Sequence, residues 1–273
     1  MVQIGVSSFV MYPESIESIL DFAAEQKIKH VEFVMGPLNK STPDDFDVNR
    51  IMDLSKRICE LDITPYVHVA PEDNIPSSVV ENIRQGVENE IRDAIDFAAD
   101  IGARTTVTHA GNYYARYAFK GITIDDVKYM HHKSLVKTLN NCIRYANGRG
   151  RKLLVENGYS FAGLNNPCLA VTTDELKNLF AECPGMGLVV DIGKISDSNL
   201  DILDFIIKTR KIVEYYHVCD KDENRRNIAL GTGKIDFKEI IPEMADVPLI
   251  IELNGREAAA QSIDYLRKIN DFL

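Results

Sequence analysis

Eight short apolar runs rich in β-branched residues alternate with eight longer amphipathic segments along this chain of 273 residues. Strict alternation of strand and helix patterns favours a parallel sheet covered by helices, and eight successive units favour closure into a barrel. Predicted strands span 2–7, 29–35, 63–69, 104–109, 152–157, 186–192, 212–219 and 247–252. Predicted helices span 13–26, 46–61, 79–101, 123–148, 173–182, 199–210, 236–245 and 258–272. We therefore predict an α/β fold, one (β/α)8 TIM barrel domain over residues 1–273.

The connections between these segments differ in length according to their direction. Helix-to-strand turns are short, as at 26–27 and 61–62, whereas strand-to-helix connections are long, as at 110–122, 157–171 and 220–235. In (β/α)8 barrels the loops that follow the strands build the active site. An open doubly wound sheet is the alternative fold, but no GxGxxG motif follows the first strand.

Charge and cysteine content narrow the function classes. The net charge of −10 and the acidic pI of about 5.1 argue against nucleic acid or an anionic membrane as a partner. No apolar run reaches the roughly 20 residues that span a bilayer, and the opening MVQIGVSSFV lacks the basic region of a signal peptide. Five scattered cysteines without a CxxC pair fit a reducing compartment, so we expect a cytoplasmic protein. They are Cys59, Cys142, Cys168, Cys183 and Cys219.

Five of the predicted strands carry a potential metal ligand at their last inward position. The runs are TTVTHAG, KLLVENG, GLVVDIG, YYHVCD and PLIIELNG, and the residues are His109, Glu156, Asp191, His217 and Glu252. A carboxylate or imidazole at an apolar strand tip is costly unless a partner such as a metal satisfies it. Three carboxylates and one imidazole from the last four strands form an oxygen-rich set that suits Mn²⁺, Co²⁺, Mg²⁺ or Zn²⁺. A hydrogen-bonded structural cluster is the alternative.

Further polar residues are expected around the same cavity. His68 and His109 end the third and fourth strands and are predicted to contact substrate rather than to bind the metal. Glu32 either lines the pocket beside them or is a structural carboxylate buried against a lysine or arginine. Arg225 and Arg226 precede a glycine-rich LGTG segment after the seventh strand, where TIM barrels commonly bind phosphate.

Two other features of the loops leave alternatives open. The glycines of the LGTG segment either bind an anion or simply form a turn. The loop 112–120 interleaves aromatic residues with two cations. It is interpreted as a lid over a sugar, an oligomer contact or a wedge against DNA, of which DNA is the least compatible with the acidic chain. A homo-oligomer is compatible with the sequence.

Along its whole length the chain resembles the xylose-isomerase-like TIM-barrel superfamily. The resemblance lies in HVEF, VENG, VVDIG, HVCD, LGTGKID and IIELNG. The superfamily includes sugar isomerases and epimerases, inosose dehydratases and the endonuclease IV DNA-repair enzymes. The resemblance implies that Glu156, Asp191, His217 and Glu252 bind one divalent metal. It also implies that the two glutamates act as the acid–base pair on a metal-bound enediolate.

The chain departs from the family pattern at two places. The histidine expected three residues after the sixth-strand aspartate is replaced by Lys194. Lys194 is predicted to contact a substrate oxygen or a carboxylate, and the alternative is that it points to solvent. The Asp-x-His motif of endonuclease IV is replaced by Arg225, Arg226 and Asn227, so three ligands of its third zinc are absent. The other two zinc positions would be satisfied by six residues, which are His68, His109, Glu156, Asp191, His217 and Glu252.

The resulting functional expectation is a metal-dependent isomerase or epimerase without an organic cofactor. Its expected partner is a small sugar, sugar phosphate or keto-polyol. An inosose-dehydratase-like lyase uses the same apparatus, and an endonuclease IV-like zinc phosphodiesterase is the second alternative. A non-catalytic sugar-binding barrel is the third.

Overall fold

A computed structural model describes residues 2–37, 42, 45–71, 74–161, 164, 166–244 and 246–270. Eight parallel strands form a closed barrel in the order β1 to β8, so each strand pairs with its neighbours in sequence and β8 pairs with β1. The predicted (β/α)8 fold is confirmed. The strands are β1 Ile4–Ser7, β2 His30–Val34, β3 Thr64–His68, β4 Thr105–His109, β5 Lys152–Glu156, β6 Gly187–Asp191, β7 Val213–Val218 and β8 Leu249–Ile251.

Nine α-helices lie within the described residues and surround this barrel. They are α1 Ser18–Glu25, α2 Val48–Glu60, α3 Glu81–Asp100, α4 Ile124–Gly148, α5 Thr173–Glu182, α6 Ile192–Asp197, α7 Ile202–Thr209, α8 Phe237–Ile240 and α9 Arg256–Asn270. Among the described residues, no helix combines the length and the apolar composition that crossing a membrane requires.

The main differences between the helices and the sequence prediction lie before β2, before β8 and directly after β6. The helix predicted over 13–26 begins only at Ser18. The segment predicted over 236–245 is one turn of α-helix followed by a 3₁₀ turn, Ile241–Glu243. The last two residues of the helix predicted over 258–272 lie outside the described residues. Helix α6 is absent from the sequence prediction, which extends the sixth strand over 186–192 and so into the first residue of this helix.

Side chains inside the barrel follow the two-residue period of the strands. Val107, Leu154, Val189, Tyr215 and Ile250 form a separate, fully buried apolar cluster in the barrel interior. Each of them lies two residues before one of the five predicted strand-tip ligands. Because alternate residues of a strand share a face, the five strand-tip side chains face the same way as this layer, toward the barrel interior at its carboxyl end. The five side chains therefore face the barrel interior, as the strand period predicts, and their role as metal ligands stays a prediction.

Candidate functional site

Glu156 occupies the centre of the polar cluster at the carboxyl end of the barrel. Its side chain is fully buried, and its two oxygens have different partners. Oε1 lies 2.7 Å from Nδ1 of His217, whereas Oε2 lies 2.9 Å from Nε2 of His109 and contacts the Lys194 ammonium. The Glu156 carboxylate therefore links His109, which ends β4, to His217 of β7 and Lys194 of α6.

His217 is held between two sides of the cluster. Its Nδ1 faces Glu156 and lies 3.3 Å from Glu252, while its Nε2 lies 2.9 Å from Oε2 of Glu32. The Tyr215 hydroxyl donates a hydrogen bond of 2.7 Å to the same Glu32 oxygen. A carboxylate on one imidazole nitrogen orients the ring and leaves the other nitrogen for a metal. Of the two alternatives for Glu32, the buried structural carboxylate is therefore wrong in its partner, which is histidine and tyrosine in place of lysine or arginine.

Asp191 ends β6 and also begins α6. Its Oδ1 caps the helix by accepting the Lys194 backbone N–H at 3.1 Å, a standard role for aspartate at this position. Its own N–H donates to the Asn157 side chain at 2.7 Å, which fixes the strand end. Because the helix starts at once, the Lys194 side chain returns over the strand tips instead of entering solvent. Its Nζ lies 3.8 Å from Oδ2 of Asp191, and the side chain is 19% exposed.

His68 and His109 lie beside Glu156 on the other side of the cluster. His68 Nδ1 donates to the Val69 carbonyl at 2.6 Å, because a carbonyl can only accept. Its buried Nε2 lies 3.8 Å from Glu156 Oε2 and finds no hydrogen-bond partner among the described residues. Burial and the neighbouring Lys194 ammonium lower the pKa of His109 to about 4. That ring is therefore neutral at physiological pH.

The pKa values of the carboxylates reflect mutual repulsion in a buried space. Burial raises the pKa of Glu252, and although His217 opposes this shift, Glu156 and Asp191 help bring the pKa to about 7. Burial also raises the pKa of Asp191. Burial would likewise raise the pKa of Glu156, but the cations of Lys194 and His217 outweigh it and hold this pKa well below its usual range.

The donor set fits a divalent cation. One ligand atom from each of Glu156, Asp191 and Glu252 can be chosen so that all three lie within 4.8 Å of one another, and His217 Nδ1 borders two of them. Three carboxylate oxygens and one imidazole nitrogen are suitable ligands for Mn²⁺, Co²⁺, Mg²⁺ or Zn²⁺. A cation among them would remove the repulsion that raises the pKa of Glu252. We call Glu156, Asp191, His217 and Glu252 the tetrad.

An open cleft gives access to the tetrad. One lobe of about 290 Å³ contains Asp191 and Glu252, and an adjoining lobe of about 340 Å³ contains Glu156. The two lobes share Pro71, His109, Tyr159 and Lys194. Sites for small molecules are concave and combine apolar walls with a few convergent polar groups. This cleft has that character, with Phe9, Leu253 and Tyr159 beside the charged residues.

The glycine-rich segment after β7 is organised by Asp220, not by an anion. The fully buried Asp220 carboxylate accepts backbone N–H groups from Gly231 at 3.0 Å and Gly233 at 2.8 Å. It also accepts those of Lys221 at 2.8 Å and Ile235 at 3.2 Å. A Cβ on Gly233 would lie 2.3 Å from Asp220 Oδ1. The interpretation of these glycines as a structural turn is supported, and their amides are already used within the protein.

The two adjacent arginines of this loop point in different directions. Arg226 lines the cleft, lies over the Phe161 ring and pairs with Asp197 at 3.1 Å. Lys221 Nζ contacts the other oxygen of Asp197 at 2.7 Å. Arg225 instead pairs with Asp222 at 2.8 Å with 68% of its side chain exposed, and it is not brought into the cleft.

Sequence reasoning missed several cleft residues. Asp197 and Lys221 were not predicted, although Asp197 lies one helical turn beyond Lys194 and the HVCDK run places Lys221 just after a strand. Tyr159 was also missed, because an aromatic residue in a long loop gives no periodic signal. In the loop 112–120, Asn112 lines the second lobe and Tyr114 contacts the ring of His131. The three proposed roles of that loop remain predictions.

Comparison with known proteins gives a consistent assignment. The family model described as "Xylose isomerase-like TIM barrel" matches residues 20–269. An uncharacterised protein of Methanocaldococcus jannaschii is 26% identical over 89% of this chain and 79% of its own length. A solved D-tagatose 3-epimerase-like protein has 22% identity, a TM-score of 0.85 and coverage of 99% of this chain and 98% of that chain. A solved L-ribulose 3-epimerase has 18% identity and a TM-score of 0.79, covering 100% and 95% respectively. The chain therefore belongs to the xylose isomerase-like TIM-barrel family.

Proposed function

We propose that this protein is a metal-dependent epimerase that inverts a carbon next to the carbonyl group of a small sugar. The observation that carries the proposal is the convergence of Glu156, Asp191 and Glu252 with His217 at the mouth of the barrel. Two carboxylates beside a cation site are the groups that a proton transfer at such a carbon requires. The similarity in fold to proteins named as 3-epimerases agrees with this chemistry.

The tetrad would hold the metal. When bound, a divalent cation would polarise the carbonyl and the adjacent hydroxyl and stabilise the negative charge that develops on them. Glu32 would support the site from behind, because its contact with His217 Nε2 directs Nδ1 toward the carboxylates. Tyr215 fixes Glu32 in turn.

Glu156 and Glu252 are the proposed acid–base pair. Glu156 ends β5 and Glu252 directly follows β8, with β6 and β7 between them, and we propose that they act on opposite faces of a bound sugar. One carboxylate removes the proton from the carbon next to the carbonyl, and the other delivers a proton to the opposite face. The product differs from the substrate only in configuration, and solvent restores the protonation of the pair.

The remaining cleft residues would orient the substrate. Lys194 and His109 lie where both lobes meet and can bind hydroxyl or carbonyl oxygens. Phe9 and Tyr159 offer apolar surface to the C–H face of a sugar. Arg226 and Lys221 share Asp197 at the cleft and would contact the far end of a sugar or sugar phosphate.

The test is a turnover assay with defined metals. Protein stripped by a chelator and reconstituted with Mn²⁺, Co²⁺, Mg²⁺ or Zn²⁺ is incubated with ketoses and their phosphates, and epimers are separated by chromatography. We expect turnover of at least one ketose that requires the metal. Glu156→Gln and Glu252→Gln should each reduce kcat by about 100-fold or more, whereas Glu60→Gln on the exposed end of α2 should not. Full turnover in folded, metal-loaded Glu156→Gln and Glu252→Gln, or no ketose turnover with any metal, would contradict the proposal.

A further inference from the structure

A second group of potential metal ligands adjoins the tetrad and shares Glu156 with it. Suitable nitrogen and oxygen atoms of His68, His109 and Glu156 lie within 4.8 Å of one another. Glu156 Oε1 faces the tetrad through His217, while Oε2 faces the two histidines. One carboxylate with an oxygen toward each group has the arrangement of a ligand that bridges two cations.

His68 gives this second group a nitrogen atom that could bind a metal and is not otherwise used. Its Nδ1 carries the proton that bonds the Val69 carbonyl, so Nε2 offers a lone pair in the neutral ring. The side chain is 1% exposed, and within the part of the chain that the structure describes Nε2 has no hydrogen-bond partner, although it lies 3.8 Å from Glu156 Oε2. A buried polar atom without a partner is uncommon and calls for an explanation.

The Lys194 ammonium lies against this second group. Its Nζ contacts Glu156 Oε2, the oxygen that faces the histidines, and lies 3.4 Å from His109 Nε2. Helix α6 begins at Ile192 with Asp191 as its N-cap, and the bond from the Lys194 N–H to the Asp191 carboxylate holds the Lys194 backbone close to the strand tips. The amine therefore brings one positive charge to the position that a second cation would need.

We propose that the Lys194 ammonium takes the second cation position beside Glu156, so that the wild-type centre accepts one metal ion. Removal of the amine would open a second site formed by His68, His109 and Glu156. The inference rests on the proposed metal tetrad. A divalent ion placed within a few ångströms of a fixed ammonium is repelled strongly in a buried site, and Glu156 Oε2 cannot serve both cations fully.

The number of metal ions in the centre distinguishes the two candidate reaction classes. Two metal ions roughly 4 Å apart are typical of enzymes that cleave phosphate esters, because they stabilise both the attacking and the leaving oxygen. A single metal with a lysine beside it lacks that pair. The residue that replaces the family histidine thus favours the sugar chemistry over the phosphodiesterase alternative.

The experiment measures zinc per chain by elemental mass spectrometry after gel filtration, with circular dichroism and thermal unfolding to check the fold. We expect one equivalent in the wild type and two in Lys194→Met. Lys194→Arg, which keeps the charge, should bind one. Lys128→Met removes a partly buried lysine that pairs with Glu175 outside the cleft, and it should also bind one. The double variant Lys194→Met with His109→Gln should return to one.

Three results would overturn the inference. Two equivalents in the wild type would show that the amine does not exclude the second ion. One equivalent in folded Lys194→Met would show that the histidine group does not bind zinc, while the tetrad and the proposed function would stand. No zinc in any of these proteins would overturn the tetrad as well.

Discussion

Asp220→Asn is expected to destabilise the loop that carries Arg226 to the cleft. The Asp220 carboxylate accepts four backbone N–H groups from residues 221–235, two at each oxygen. Asparagine keeps one oxygen, so two of these bonds can persist. Its NH₂ group would face the remaining two donors, which then lose their acceptor. The perturbation is therefore chemical and leaves the side-chain volume unchanged.

The magnitude follows from the number of bonds lost. A hydrogen bond to a charged group contributes about 1.5–3 kcal/mol. Loss of two such bonds costs about 3 kcal/mol at the low end. If the loop of the variant stays closed, the free energy of global unfolding falls by that amount. If the loop instead opens to water, hydrogen exchange of the Gly231 and Gly233 amides accelerates by roughly 100-fold, since each 1.4 kcal/mol corresponds to a factor of ten.

Urea denaturation and amide hydrogen exchange measure the two cases. Asp222→Asn is the matched control in the same loop, because both backbone amides that bond Asp222 use a single oxygen, Oδ1, which asparagine retains. The control should lose less than about 1 kcal/mol, as expected for an exposed charge pair. The reasoning is refuted if Asp220→Asn loses less than about 1 kcal/mol and its loop amides remain as protected as in the wild type.

Three further predictions concern the cleft and the outer surface. Glu32→Gln should weaken metal affinity by about 10- to 100-fold, measured by competition with a fluorescent chelator, because His217 loses its orienting carboxylate; unchanged affinity contradicts this role. Arg226→Ala should raise KM about tenfold or more with kcat nearly constant, since Arg226 lines the cleft without contacting the tetrad; a selective fall in kcat contradicts it. Burial raises the pKa of Glu17, but hydrogen bonds from Arg50, the backbone and Ser15, with the Arg50 charge, together bring this pKa below its usual value. Their stabilisation is therefore present above the unfolded-state pKa and is lost as pH falls through the folded-state pKa. Glu17→Gln should therefore lower the free energy of unfolding by up to about 1 kcal/mol at pH 7, and this loss should disappear as pH falls below the folded-state pKa, in urea titrations across that pH range.

The fold and the inward set of strand-tip residues were predictable because both depend on local periodicity. Apolar runs separated by helical segments indicate eight strand–helix units, and the two-residue period of a strand fixes which side chains share a face. Val189 and Asp191, for example, are two residues apart in β6, and both face the barrel interior. No knowledge of distant contacts was needed for this step.

The contacts of the site depend on the distant parts of the chain and were not predictable. Glu32 meets Tyr215 and His217 across the barrel, at sequence separations of 183 and 185 residues. The position of Lys194 depends on α6 following directly after Asp191. An apolar run alone does not reveal where a strand becomes a helix. Arg225 and Arg226 are neighbours in sequence, and only the loop conformation held by Asp220 decides which one lines the cleft.

Exchange of a sugar proton with solvent tests the central claim most directly. A ketose that the reconstituted protein converts is incubated in D₂O and followed by proton NMR. We predict that the hydrogen on the inverted carbon, next to the carbonyl, is replaced by deuterium as the epimer forms, and that Glu252→Gln abolishes the conversion. Formation of the epimer with its original hydrogen retained would contradict proton transfer by the Glu156 and Glu252 pair.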